Sequence, residues 1–296
     1  MEDNVLSRTS VVQMSAVRQL PSQSVRFSSF RHCALVLGHP GHELKVFGWI
    51  REYKPLVCAI TDGSGRSGVS RISSTAALLA RLGAPQGELF GALSDAEIYD
   101  AILRQNLSLF LSLVDELAGS FLRHHIDCVA GDASEGFNPT HDLCRVLINA
   151  AVLVAQRAGG REIANFEFPL TEWEQDCPEP VHDDRCLHRT LDDQALSEKI
   201  AAAEEYAGLG EEVRRAIARR GREYFRGECL RPAPDPAPRF DTSKKPFYET
   251  WGERQVLRGE YQSVIRLEQH ILPLANAIFH HASQKSPDAL PAARPA

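Results

Sequence analysis

One stretch constrains the chain more than any other: an unbroken apolar pentapeptide running straight into a glycine and two close histidines, Cys33-Ala34-Leu35-Val36-Leu37-Gly38-His39-Pro40-Gly41-His42-Glu43. A strand with no polar position is buried on both faces, as in a parallel sheet covered by helices on either side. Leu44, Val46, Phe47 and Ile50 then fall at helical spacing. The pattern recurs. A second apolar strand, 55–60, ends in the polar loop Thr61 to Gly68, and a helix over about 71–82 stops at Gly83. A short strand, 88–93, precedes Ser94-Asp95-Ala96-Glu97, a capping box that introduces one or two helices reaching His124. A fourth strand, 127–131, delivers the loop Asp132 to Asp142, followed by a helix that buries Leu143, Val146, Leu147, Ala150 and Val154. Residues 162–168 alternate, as a fifth strand at an edge would. Strands alternating with helices predict an α/β fold: a Rossmann-like three-layer α/β/α sandwich with a mostly parallel sheet.

Past Pro169 the periodicity weakens. Charged helices are expected over about 192–207 and 211–225, then a proline-rich linker over 231–238 and a final helix over 254–279. The chain therefore divides into an arm, 1–30, an α/β core, 31–170, a helical C-terminal cap, 171–282, and a tail, 283–296. The arm is rich in Ser and Arg and has no continuous apolar run. It can imitate an organelle transit peptide but reads as a disordered or loosely attached segment. The tail, rich in Pro and Ala, reads as mobile.

With a formal net charge of -6 and no basic stripe interleaved with aromatics, nucleic acid is not expected as a partner. No apolar run is long enough to span a bilayer, so no membrane role is expected. Seven cysteines, odd in number and without a Cys-x-x-Cys pair, read as reduced thiols of a cytoplasmic protein rather than a disulfide framework or a thiolate zinc site. A homo-oligomer is compatible with all of this.

Three polar loops end strands: 39–43, 61–68 and 132–142. In doubly wound sheets such loops converge on one rim, where ligands bind. Positions i and i+3 share a face at a helix start, so His39 and His42 can close on one metal ion. In order, spacing and strand context, His39-Pro40-Gly41-His42-Glu43, Thr61-Asp62-Gly63 with Arg71, and Glu135-Gly136-Phe137-Asn138-Pro139-Thr140-His141-Asp142 resemble the three motifs of the PIG-L/LmbE-like deacetylases. That family removes acetyl groups from N-acetylglucosamine-type sugars with bound zinc, and the resemblance covers about residues 33–170. It implies an LmbE-like core and a ligand set of His39, His42 and His141, with His42 standing where the family has Asp. Three imidazoles still leave an open position for water, and the lost carboxylate should make that water more acidic.

Two positions depart from the pattern. The family's general base corresponds to Gly41, and its other loop histidine to Asn138, which does not titrate. Replacement acid-base groups are sought among Glu43, Asp62, Glu135 and Asp142, with His188 as an outside candidate for the acid. Arg71, Asn138 and Asp95 are assigned to substrate, although Arg71 could equally pair with Glu43 or Asp95. Asp62 could equally hold its own loop in an Asx turn, and Glu43 could brace the loop or a ligand histidine. The expected activity is that of a zinc-dependent amide hydrolase of the deacetylase type, acting on a small N-acylated, sugar-like substrate. The alternatives are a metal-binding relative that no longer hydrolyses, and a redox-active Fe(2+) site in place of Zn(2+).

Overall fold

The computed structural model describes residues 29–171, 185–234 and 236–286. Most of the arm and residues 287–296 of the tail lie outside them. Five strands alternate with helices as the pattern requires: β1 (Cys33–Leu37), β2 (Leu56–Thr61), β3 (Gln86–Leu93), β4 (Cys128–Asp132) and β5 (Ala164–Phe168). Between them run α1 (Phe47–Tyr53), α2 (Ile72–Leu82), α3 (Asp95–Leu103), α4 (Leu107–Arg123) and α5 (Pro139–Gly159). All neighbouring pairs among these strands are parallel. β1, β2 and β4 are buried at every position, and side-chain alternation divides them between two cores. Ala34, Val36, Cys58 and Ile60 pack with α3, α4, α5 and the last helix. Leu35, Leu37, Val57 and Ala59 face the opposite way, toward Trp49 and Ile50 of α1 and Leu79 of α2. This is the three-layer arrangement expected.

With β6 over Leu187–Thr190 and β7 over Gly227–Pro232, the strand order is β3-β2-β1-β4-β5-β7-β6. From β1 the chain steps outward through β2 to β3, then returns to place β4 on the other flank of β1. The order thus reverses between β1 and β4, and in such sheets ligands bind beyond the carboxyl ends of the strands at that point.

The segment beyond residue 170 is not all helical. β6 (Leu187–Thr190) and β7 (Gly227–Pro232) form an antiparallel pair, and β7 lies antiparallel to β5. The strand expected at the edge is therefore internal. Its alternation arises because Glu167, buried, pairs with Arg231 of β7 at 2.9 Å and lies near Arg145 rather than facing water. Between β6 and β7 run α6 (Asp193–Glu205) and α7 (Gly210–Arg220). α6 lays Ala202, Ala203 and the following Tyr206 onto Leu44, Phe47 and Leu78, forming an outer cover. Glu228 of β7 accepts from the Gly48 and Trp49 amides at the start of α1 and pairs with Lys199 of α6 at 3.0 Å. The expected final helix is two, α8 (Phe247–Leu257) and α9 (Leu272–Gln284), broken where Gly259 takes a positive φ of 72°.

Five cysteines of the described residues are thiols, but Cys229 is disulfide-bonded. The expectation of reduced thiols throughout is corrected there. Spacing detects only pairs that are close in sequence. No helix among the described residues is long and apolar enough to cross a membrane.

Candidate metal centre

Each of the three histidines arrives on a different piece of local structure. β1 ends at Leu37, and Gly38 turns the chain so that its amide donates to Asp132 Oδ2 at 2.8 Å. A Cβ at Gly38 would lie 2.7 Å from that oxygen, so only glycine permits the approach. Pro40 and Gly41 then reverse the chain, Gly41 at φ 109°, into a 3-10 turn over His42–Val46. β4 ends at Asp132, and after the loop Asn138 caps α5 by accepting from the Thr140 amide, with Pro139 in the first turn. His141 follows in that turn, at the positive end of a 21-residue helix.

The three rings meet beyond the carboxyl ends of β1 and β4. Ring centroids are 5.4 Å apart for His39 and His42, 5.1 Å for His39 and His141, and 4.6 Å for His42 and His141. Zinc–nitrogen bonds of about 2.0–2.1 Å would set the ring centres of a tetrahedral site about 5 Å apart. The separations match. As the side chains stand, however, no group of three or more His, Cys, Asp or Glu among the described residues is set to hold a metal ion. The rings meet edge to face at 68–89°, and their nitrogens must turn to share one point.

Two of the rings are held through Nδ1. His39 Nδ1 lies 2.8 Å from Thr61 Oγ1 and 2.9 Å from Asp95 Oδ1. His42 Nδ1 lies 2.8 Å from Asp132 Oδ2. A carboxylate only accepts, so Nδ1 carries the proton in both rings, and in the neutral imidazole Nε2 presents its lone pair. Burial pulls the His141 imidazole well below its ordinary pKa, the two neighbouring histidines adding to the effect, so it is a neutral donor. Burial alone would raise the Asp95 carboxyl, but hydrogen bonds from His39 and the Gly65 amide overcome it and hold the group well below the usual range.

Five buried polar atoms on this constellation and its chain neighbours have no hydrogen-bond partner: His39 Nε2, Asp132 Oδ1, Thr140 Oγ1, His141 Nδ1 and Asp142 Oδ2. Buried donors and acceptors are nearly always satisfied. A cluster of unsatisfied ones, two of them imidazole nitrogens, fits a site built for an ion and its water. The donor set therefore suits zinc in chemistry and spacing.

The carboxylates proposed for acid-base work each have hydrogen-bond partners, and of them only Asp142 keeps a buried oxygen without one. Glu43, fully buried, accepts from the Gly41 amide at 2.7 Å and from the Tyr206 hydroxyl at 2.9 Å. Burial raises its pKa, the hydrogen bonds offsetting part of the rise. Asp62 closes an Asx turn onto the Ser64 amide. Glu135 accepts from Leu170 and Thr171. Asp142 accepts through one oxygen from the Ser134 hydroxyl and the Glu135 and Gly136 amides, while burial lifts it to about 6. His188 sits in β6, the outermost strand. Arg71 precedes α2 and donates to the Gly63 carbonyl at 2.6 Å. Asp95, assigned to substrate, instead touches His39, and Asn138 caps α5.

Sequence reasoning did not single out Asp132 and Thr61, which orient two of the rings. Their signal was position: each is the polar residue that closes an apolar strand on either flank of β1. Leu209 was missed too. A Cβ on Gly41 would lie 2.5 Å from Leu209 Cδ1, so the space above Gly41 is filled by an apolar side chain from the C-terminal half.

No protein-family profile matches the chain, and no curated protein matches it. Among solved structures it is similar to the A40926 pseudoaglycone deacetylase Dbv21, at 16% identity over 68% of this chain and 96% of that one, with a TM-score of 0.43. It is also similar to the zinc inhibited form of the teicoplanin deacetylase Orf2, at 12% identity over 67% and 96%, with a TM-score of 0.40. Likeness at this level does not bear on activity. What the site can do rests on its own geometry.

Proposed function

We propose that the chain is a metal-dependent amide hydrolase of the deacetylase type, in which His39, His42 and His141 hold a zinc ion and a small N-acylated, sugar-like molecule is the substrate. The observation that carries this is the meeting of three imidazoles at ligand spacing, two of them oriented by buried carboxylates. When bound, zinc supplies a Lewis acid for an acyl carbonyl and makes a water more acidic. Asp95 and Thr61 fix the tautomer and plane of His39, and Asp132 does the same for His42. Asp132 thus places a buried carboxylate behind His42, hydrogen-bonded to its Nδ1. The first turn of α5 directs its positive end toward the negative charge that acyl transfer develops.

A second proposal, a metal-binding protein that does not hydrolyse, is favoured by one observation: Leu209 occupies the space above Gly41, where a general base would stand. Metal analysis of protein purified without added metal, followed by acetate release from a panel of N-acetylated amino sugars, separates the two. Bound zinc with turnover supports the hydrolase. Full zinc loading without turnover supports the second proposal, iron in place of zinc points to redox chemistry, and no metal at all refutes both.

A further inference from the structure

Beyond the histidines, an exposed aromatic run leads away from His141. Phe137 follows Gly136, in the loop between β4 and α5. Its ring lies 6.4 Å from His141, tilted by 31°. Phe247 stacks on Phe137 with centroids 5.0 Å apart and planes 6° from parallel, and Trp251, one turn along α8, stacks on Phe247 at 6.2 Å and 24°. The Phe247 amide donates to the Gly136 carbonyl at 2.8 Å, which joins α8 to the loop. The three rings are 45%, 47% and 40% exposed. That is an unusual amount of aromatic surface to leave against water beside a candidate site.

The way the rings are exposed selects the ligand. Phe137 lies between His141 and Phe247, and Phe247 stacks on both Phe137 and Trp251, so these ring faces are engaged by neighbours in a strip that starts beside His141. A pyranose recognised by aromatic residues needs an open ring face and hydrogen-bonding groups around it. An extended alkyl chain needs only an apolar wall, and this wall starts where an acyl carbonyl would sit. Resting on the hydrolase proposal for the position of that carbonyl, we infer that Phe137, Phe247 and Trp251 form a subsite for an N-acyl chain longer than acetyl.

The test measures binding, by calorimetry with zinc-loaded protein, of N-acetyl-, N-butanoyl-, N-hexanoyl- and N-octanoylglucosamine, alongside acyl release from each. A fully buried methylene tightens binding about fourfold, and one covered on one side about twofold. Affinity is therefore expected to rise about twofold per methylene, and the rise to vanish in the double variant Phe247→Ser/Trp251→Ser. Both residues are exposed enough for the fold to survive, and Leu257→Ser, at a side chain 87% exposed on the same helix, is the control and should keep the rise. Affinity independent of chain length, a rise that persists in the double variant, or free glucosamine binding as tightly as the octanoyl compound would each overturn the inference. Chain-length-dependent binding with no acyl release supports the subsite and counts against the hydrolase. Acetyl release without chain-length dependence does the reverse.

Discussion

Gly41 stands where a general base is expected, and the structure sets the cost of placing one there. Its backbone lies at φ 109° and ψ -22°, outside the regions open to L-residues. Holding a non-glycine residue in such a conformation costs on the order of 1–3 kcal/mol. A side chain would also press on Leu209 Cδ1, 2.5 Å from the Cβ position. That methyl is the tip of a flexible side chain, and moving it off its rotamer costs about 0.5–1.5 kcal/mol. Arg71 Nη1, 3.8 Å from the same Cβ position, would return at most about 1 kcal/mol to an aspartate. Gly41→Asp should therefore destabilise the protein by about 1–3 kcal/mol, and Gly41→Ala, without the ion pair, by at least as much. Urea unfolding gives both values, read as a lower midpoint at unchanged slope. A loss below about 0.5 kcal/mol in either variant would refute the backbone argument. Complete recovery in a Leu209→Ala background would show that contact, not φ, sets the cost. The same reasoning predicts that Gly41→Asp gains no acyl release unless the 206–209 segment also moves.

Asp132→Asn removes the charge behind His42 while keeping its shape. Zinc affinity, measured by competition with a chromophoric chelator, should fall about 10–100-fold, and unchanged affinity would remove Asp132 from the site. Glu228→Ala strips the α1 amides of their acceptor and removes the buried carboxylate that pairs with Lys199. A loss of about 3–5 kcal/mol in urea unfolding is expected, partly recovered by adding Lys199→Met. Burial, with Lys199 nearby, lowers Lys45 to about 8 from its ordinary 10.5, Glu135 offsetting part of the shift. Below pH 8 its charge costs the folded state most, and stability should rise as pH climbs from about 8 to 10.5, because the unfolded chain then binds more protons. Lys45→Met should gain about 1–3 kcal/mol at pH 7 and flatten that slope. An unchanged slope in pH-dependent unfolding would exclude Lys45 as its source.

The sandwich was legible because its signal is local. Four largely apolar runs, each followed by a helical period, report a parallel sheet covered by helices, and glycines and caps mark where each element stops. The histidines could be singled out for the same reason: His39 and His42 are three residues apart, and His141 lies in the loop-and-helix segment that follows another strand. Beyond residue 170 the local signal failed. Glu167 looks solvent-facing in the sequence and is buried against Arg231, a partner 64 residues away. β6 and β7 are short and mixed in polarity because each contributes to a layer whose other members come from elsewhere in the chain. Nor does any spacing place Asp132 behind His42 or Leu209 over Gly41, contacts that span 90 residues in the first case and join the two halves of the chain in the second. Residue types and their periods determined which strands form and which side chains reach the rim. Which carboxylate orients which imidazole, and what covers the place of the base, followed only from the reversal of strand order between β1 and β4 and the return of the C-terminal half onto it. Those are contacts between distant segments, and their energy exists only once the chain has closed on itself.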